Sequence, residues 1–278
     1  FCRSFQMPDE YFSWFHGGSL IPKEIIKQTL NRIGYKNRIF SLARETGFCR
    51  LSNMNSVLFV DIGLNQKMVH NKKASLFGFE FFYKKEKIIS NLGEINNSKY
   101  KNMKNSLSST AAHSSLNIDD RNNIDLSGRR ITRISNIQFG KTKDGNLLDV
   151  THSGYETIFG VHHKRQIYLS NKKNEIRGRD EILNIGNIGS IPKNAYIRFH
   201  LYPGIELIKT RSGSILLNHQ KGYVWKMSSN NKNISIENSV MFTPNGPKPC
   251  KELSIILNLE KIRAYKSISC NWAFELQK

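Results

Sequence analysis

The sequence predicts an all-β protein, a large antiparallel β-sandwich of layered sheets, and three observations lead to this fold class. From about residue 38 to the end, short apolar and polar runs alternate and are separated by turn residues. Two dipeptides between such runs, Asp144-Gly145 and Ser212-Gly213, are typical of two-residue hairpins. The runs are not separated by helical patterns, as they would be in a parallel α/β sheet.

The first 37 residues differ from this pattern and predict a short helical segment. Aromatic residues crowd the opening, and Pro22 precedes a helix with Ile26, Leu30 and Ile33 on one face, ended by Gly34. Unsheltered aromatic side chains beside a short helix normally pack on neighbours. We therefore interpret residues 1–37 as the last piece of a helical domain and residues 38–278 as the sandwich domain.

The predicted strands follow one another closely along the sandwich domain. They lie at 39–44, 56–62, 76–83, 88–92, 131–139, 147–152, 158–169, 196–202, 206–210, 215–218, 223–228, 234–242, 253–259 and 267–276. In the third strand Phe77, Phe79 and Phe81 fall on one face, which is the period of a half-buried strand. Residues 94–109, rich in Asn, Ser and Lys, predict a mobile surface loop or a lid ordered by substrate.

Composition restricts the class of protein and of partner. The 278 residues are 38% hydrophobic and 23% charged, as in an ordinary globular protein, and no apolar stretch approaches the roughly 20 residues of a membrane span. The net charge of +20 favours an anionic partner such as nucleic acid, acidic polysaccharide or anionic lipid. Because the excess is spread along a chain rich in Asn, Lys and Ile, compositional drift is an alternative explanation.

The cysteines and the chain start concern processing and compartment. Cys2, Cys49, Cys250 and Cys270 lack the spacing of a zinc ribbon or a thioredoxin motif, so buried free thiols are the default, with one disulfide possible after export. Phe1 opens the chain without a signal-peptide pattern. We expect a processed chain or part of a longer one, periplasmic or envelope-associated if a signal lies upstream and cytoplasmic otherwise.

Candidate chemistry rests on the histidines, because phosphate loops, the serine-hydrolase elbow and the zinc-protease helix are absent from the sequence. His113 lies among small residues that leave room for a ligand or metal, although the backbone can also satisfy such a histidine. His70 lies before the aromatic strand, where a solvated loop histidine is equally consistent. His162 and His163 are adjacent in a strand and must point to opposite faces. His152 and His200 at strand ends are more often structural.

The order of segments resembles the C-terminal domain of heparinase II/III-like proteins. The segments that carry the resemblance are 45–51, 57–63, 74–80, 88–93, 110–116 and 152–155, with a later part at 161–170, 176–178, 197–203 and Trp272-Ala273 that is similar to the bacterial branch. The resemblance covers nearly all of residues 40–278. It rests on many weak matches in the right order.

This resemblance implies a polysaccharide lyase: an (α/α) toroid followed by a layered β-sandwich, with the active site in the cleft between them. Residues 1–37 would then be the end of the toroid. The family cleaves uronic-acid glycans by β-elimination, in which the uronate carboxylate is neutralised, a base removes the neighbouring proton, and an acid protonates the leaving oxygen.

The resemblance also implies site residues. His113 occupies the position of a metal-binding and catalytic histidine. Lys73 lies nearest the place of a second catalytic histidine, with His70 three residues earlier. Asn91 falls near an acidic metal ligand and, as a neutral amide, is a poor zinc ligand, which argues against zinc as a cofactor.

The resulting hypothesis is the sandwich domain of a lyase for acidic polysaccharides, inactive or weak without a toroid, which a separate helical domain could supply. The alternative is a non-catalytic acidic-glycan-binding or envelope-associated sandwich. Nucleic acid is not expected as a partner, because an aromatic-basic module such as an RRM signature is absent from the sequence.

Overall fold

The computed structural model describes residues 2–33, 39–63, 72–95 and 97–277, and these residues form two antiparallel sheets packed face to face. In chain order the strands of this part are β1 Leu42–Ala43, β2 Phe48–Ser52, β3 Ser56–Asp61, β4 Phe79–Tyr83, β5 Glu86–Ser90, β6 Leu116–Ile118, β7 Ile134–Lys141, β8 Gly145–His152, β9 Val161–Ser170, β10 Glu175–Asn184, β11 Asn194–Leu201, β12 Glu206–Lys209, β13 Ile215–Asn218, β14 Val224–Ser229, β15 Ile234–Thr243, β16 Gly246–Asn258 and β17 Ser267–Leu276.

Helices are few and short in the described residues. The α-helices are α1 Lys23–Ile33, α2 Lys104–Ser108 and α3 Glu156–Phe159, and 3₁₀ turns occupy Cys2–Phe5, Gly18–Leu20, Ser98–Met103, Thr110–Ala112 and Ile262–Ala264. None of the described helices is long and apolar enough to span a bilayer. Cys49, Cys250 and Cys270 are buried free thiols, as the sequence predicted.

Each sheet is a continuous antiparallel arrangement. The first sheet runs β1-β2-β3-β4-β5-β11-β16-β15, with β6 also paired to β11, and the second runs β12-β13-β14-β17-β10-β9-β8-β7. Every pairing between these strands is antiparallel. The predicted fold class, a large antiparallel β-sandwich, is therefore confirmed.

Aromatic side chains fill the space between the sheets. Phe77, Phe79 and Phe81 all belong to the main core; Phe79 and Phe81 alternate within β4 as predicted, whereas Phe77 lies in the turn before it with φ +58°. The ring of Phe79 stacks on Trp272 of the second sheet with centroids 5.8 Å apart, and Phe81 meets Trp225 edge to face at 5.2 Å. These contacts across the sheets remove the largest apolar surfaces from water.

The opening segment covers the outer face of the first sheet. Met7 and Phe15 pack on Phe59 of β3 and Phe82 of β4, which point away from the main core. Strands β3 and β4 are consequently buried on both faces, which explains why their sequences are nearly continuous apolar runs. Whether residues 1–37 derive from a helical domain stays a prediction.

Several local predictions were wrong. The predicted strand 39–44 is reduced to β1, and the predicted strand 158–169 begins only at Val161, because α3 precedes it and ends at Gly160 with φ +65°. Strands β2, β6 and β10 are absent from the predicted set. On α1, Ile26 and Leu30 are buried as predicted, but Ile33 is 42% exposed; Gly34 lies outside the described residues.

The predicted mobile loop at 94–109 contains two consecutive helical turns, Ser98–Met103 and α2. Leu107 is buried, and Tyr100 packs against Phe242 with ring centroids 5.5 Å apart. These two anchors were not apparent in the polar composition of the segment.

Candidate functional site

His113 lies between the turn Thr110–Ala112 and strand β6. It is buried under the opening segment, which covers the outer face of the first sheet. Its side chain is 1% exposed, and its Nδ1 lies 2.8 Å from the carbonyl oxygen of Ser109. The small residues around it, Ala112 and Ser114 among them, are themselves buried. The room that the sequence suggested for an approaching ligand is therefore filled by packing in this structure.

The protonation state of His113 follows from its surroundings. Burial, and secondarily the charge of Lys73, hold the pKa of His113 well below its usual value. The neutral ring must then donate its Nδ1 hydrogen to the Ser109 carbonyl, which places the lone pair on Nε2. An imidazole in this form can accept a proton or bind a cation through Nε2.

Lys73 forms a buried ion pair beside this histidine. Its side chain is almost fully buried, its Nζ lies 2.7 Å from a carboxylate oxygen of Glu94, and it donates to the carbonyl of Gly93 at 3.1 Å. Burial lowers the pKa of Lys73, and the hydrogen bond to Glu94 opposes that shift. The resemblance did not indicate Glu94, which the sequence placed at the start of a loop.

Asn91 links the end of β5 to the histidine segment. Its Oδ1 accepts a hydrogen bond from the backbone N–H of Ser114 at 3.2 Å, immediately after His113. Its buried Nδ2 has no hydrogen-bond partner in the described part of the chain. The structure thus places Lys73, Asn91 and His113 in one neighbourhood, and their roles in a site stay a prediction. His70 lies outside the described residues, and its role stays a prediction.

These residues do not fit a zinc site. An ammonium group stands at Lys73 and a neutral amide at Asn91, whose oxygen already serves the Ser114 N–H. Zinc in proteins needs three or four thiolate, imidazole or carboxylate ligands, of which this set offers His113 and a carboxylate already paired with Lys73. Among residues 2–33, 39–63, 72–95 and 97–277, no three His, Cys, Asp or Glu side chains are grouped closely enough to hold a metal.

A second histidine, which the sequence analysis did not single out, comes from the opening segment. His16 has φ +48° and places Nε2 3.2 Å from the carboxylate of Asp61 at the end of β3. The same carboxylate accepts from the hydroxyl of Ser75 and the N–H of Gly63. The Nδ1 of His16 is buried without a partner among the described residues. His16 is close enough to His113 for its charge to lower the pKa of that residue.

A cavity of about 280 Å³ borders this cluster on the side of Glu94. It lies between the amino end of α1 and the β15–β16 turn, and Ser19, Lys23, Glu94 and Asn245 are among its lining residues. The hydroxyl of Ser19 is buried and has no partner in the described residues. The cavity is polar and large enough for one small hydrophilic group.

The remaining histidines of interest form a separate network between the sheets. Asp180 of β10 accepts hydrogen bonds from the Nε and Nη2 of Arg165, at 2.6 and 3.1 Å, from Nε2 of His163 at 2.7 Å and from the indole N–H of Trp272 at 2.8 Å. All four side chains are buried. Burial alone would raise the pKa of Asp180, but Arg165 and His163 hold it well below its usual range.

Strand register explains this convergence. Arg165 of β9 faces Asp180 of β10, and His152 of β8 faces His163 of β9. Gly178 faces Trp272, whose indole lies where a Cβ at Gly178 would be 2.0 Å away. A glycine is required there because a side chain would displace the indole from Asp180.

The hydrogen-bond directions in the network are determined by its ends. The backbone N–H of Gly154 donates to Nδ1 of His152 at 3.0 Å, so His152 carries its hydrogen on Nε2 and donates it to Nδ1 of His163 at 3.1 Å. His163 then donates from Nε2 to the ionised Asp180. Both histidines are neutral, because burial lowers the pKa of each. His163 points inward and His162 outward, as predicted.

Arg165 connects this network to the histidine segment. Its Nη1 donates to the carbonyls of Phe77 at 2.7 Å and Ser114 at 3.2 Å. Ser114 is the neighbour of His113 and the donor to Asn91. The network therefore fixes the backbone on which the candidate site is built.

The chain is similar to a known protein family in sequence and to solved structures in fold. A family profile described as Heparinase II/III-like, C-terminal, matches residues 36–271. The heparan sulfate lyase HepC from Pedobacter heparinus superposes with a TM-score of 0.72 at 13% identity, over 99% of this chain and 45% of that one. The Heparinase III-BT4657 gene product gives a TM-score of 0.74 at 14% identity, with the same coverage of 99% and 45%. No curated protein matches the sequence.

The chain thus spans less than half the length of these solved structures. At such low identity the superpositions establish the fold alone. The profile match covers most of the chain and agrees with the segments that carry the sequence resemblance.

Proposed function

Because the chain belongs to the heparinase II/III-like family through its C-terminal domain, we propose that it is the sandwich half of a polysaccharide lyase that cleaves uronic-acid-containing glycans by β-elimination. The profile match over residues 36–271 is the observation that carries this proposal. We further propose that these 278 residues have little or no activity on their own and need a helical toroid domain to complete the cleft.

The chemistry of β-elimination supports the second part. The reaction needs a group that neutralises the uronate carboxylate, a base for the neighbouring proton and an acid for the leaving oxygen. His113 offers a basic Nε2, but its side chain is 1% exposed. The charge of Lys73 is compensated by Glu94 at 2.7 Å. A polymer cannot reach either group unless the covering segment is displaced or a partner domain rearranges it.

Net charge supports an acidic glycan as the ligand. At +20, the chain attracts polyanions over the range of the Debye length, about 8 Å at physiological ionic strength. HepC is named a heparan sulfate lyase, so heparan sulfate is the first polymer to test.

The experiment measures cleavage and binding separately on the same preparation. We expect the chain to retard in affinity electrophoresis through heparan sulfate and to produce no ultraviolet absorbance from unsaturated uronate products. Robust product formation would contradict the proposed inactivity. Absence of retardation by heparan sulfate and by other uronate polymers would contradict the proposed ligand class.

A non-catalytic, glycan-binding sandwich is the second candidate, and the burial of His113 favours it. The variant His113→Ala distinguishes the two, with His162→Ala as a matched control, since His162 pairs with Glu156 on the surface at 2.9 Å. Binding that survives both substitutions supports a binding surface away from His113. Binding lost only in His113→Ala places the glycan at the candidate site.

A further inference from the structure

The Lys73–Glu94 pair lies beside His113 and close in sequence to Asn91, the two positions at which the family resemblance implies a metal ligand. We propose that the Lys73 ammonium replaces that metal ion as the internal cation of this domain, so that the domain folds and remains stable without a metal. The proposal concerns cation content and stability. It stands whether or not the domain cleaves a glycan, so its failure is distinct from the failure of the proposed function.

The ammonium joins two segments of the chain beside His113. Lys73 precedes β4, whereas Gly93 and Glu94 follow β5, and the two acceptors lie 3.1 and 2.7 Å from Nζ. Asn91, two residues before Gly93, accepts a hydrogen bond from the backbone N–H of Ser114, the residue after His113. The pair therefore ties the start of β4 to the segment that packs on the histidine.

Charge balance favours the ammonium over a divalent ion. One Lys73 cation and one Glu94 carboxylate compensate each other in a buried site, with both side chains at most 3% exposed. A zinc ion added beside Lys73 would leave two uncompensated charges there, since Asn91 and His113 are neutral donors. The pair and a zinc ion are for this reason mutually exclusive.

Metal analysis of the purified chain is the first test. We expect far less than one zinc, or other divalent metal, per chain after purification without chelator, and the same Tm after dialysis against EDTA as after dialysis against zinc chloride. About one tightly held metal per chain, with a Tm that falls on its removal, would overturn the proposal. This measurement does not depend on any variant folding.

A pair of substitutions tests whether the ammonium serves to compensate Glu94. Lys73→Met leaves the buried carboxylate alone and lowers the Tm, and adding Glu94→Gln should recover at least half of that loss. Lys87→Met is the matched control, because Lys87 is also a buried lysine. It lies on β5, with its Nζ 3.5 Å from the Trp14 ring centroid. Glu94→Gln should recover none of the Tm lost in that control. Equal behaviour of Glu94→Gln in both backgrounds would overturn the proposed pairing.

Discussion

Two buried polar clusters of this sandwich differ in how completely their hydrogen bonds are satisfied. In the network around Asp180, the carboxylate receives four hydrogen bonds, and both histidines have a determined donor and acceptor. In the cluster around His113, by contrast, the Nδ2 of Asn91 and the Nδ1 of His16 are buried without partners in the described residues.

The two clusters therefore differ in the hydrogen-bonding capacity that they have left for a ligand. A buried polar group without a partner costs about 1–3 kcal/mol, so a water molecule, an ion or a ligand usually satisfies it. The Asp180 network has no capacity left for a ligand. The His113 cluster does, which is why we place the candidate site there although all its histidines, like those of the network, are mostly buried.

Asp180→Asn is the substitution from which we expect the largest loss. It removes the negative charge that compensates Arg165 inside the core, and breaking a buried pair in this way costs about 3–5 kcal/mol. Urea unfolding followed by tryptophan fluorescence measures the loss, and Trp272 reports on the site itself.

The matched control is Glu181→Gln on the next residue of β10. Glu181 pairs with Arg179 at 3.4 Å, and the arginine is 43% exposed, so its removal should cost less than about 1 kcal/mol. If Asp180→Asn cost no more than this control, the network would not be structural and the comparison would fail.

Acid should destabilise the protein through both clusters. Burial lowers the pKa of His113, His152 and His163, so each stays neutral when folded but takes up a proton when unfolded. Below the unfolded pKa of about 6.5 the unfolded state binds more protons, so stability falls as pH falls, by up to about 1.4 kcal/mol per pH unit for each histidine. Urea unfolding between pH 7 and pH 5 checks this slope.

One substitution separates the contributions of the two clusters to the pH dependence of stability. His113→Gln should reduce the pH slope by about one proton while leaving the contribution of His152 and His163 unchanged. An unchanged slope would mean that His113 is not held neutral in the folded protein, contrary to the effect of its burial on its pKa.

Much of the fold could be predicted from the sequence, because strand patterns are local. The limits of β13 and β17 were predicted to the residue, and Phe79 and Phe81 were placed on the core face of β4. Strand β10 was missed because polar and charged residues interrupt its apolar positions, and one of them, Asp180, is buried only because Arg165 lies opposite.

The candidate site was less predictable, since it depends on contacts between distant segments. Lys73, Asn91 and His113 could be named from the family resemblance. Glu94 gave no signal, because its role follows from the approach of Lys73 across the sheet. His16 gave none either, since it reaches Asp61 from a segment interpreted as another domain. Only the folded arrangement of the opening segment on the first sheet brings these groups together.

Surface controls apart, His16→Asn is the substitution with the smallest expected loss. Asp61 keeps the hydrogen bonds from Ser75 and Gly63, so the loss of one donor should cost about 1 kcal/mol. His162→Asn, which removes a surface pair with Glu156, should cost less than about 0.5 kcal/mol. Urea unfolding of both variants at pH 7.5, a pH above the ordinary histidine pKa, makes the comparison. A loss of stability in His16→Asn as large as that in Asp180→Asn would show that the His113 cluster contributes as much to folding as the Asp180 network does. Unpartnered polar atoms would then not distinguish a binding site from a structural network in this protein.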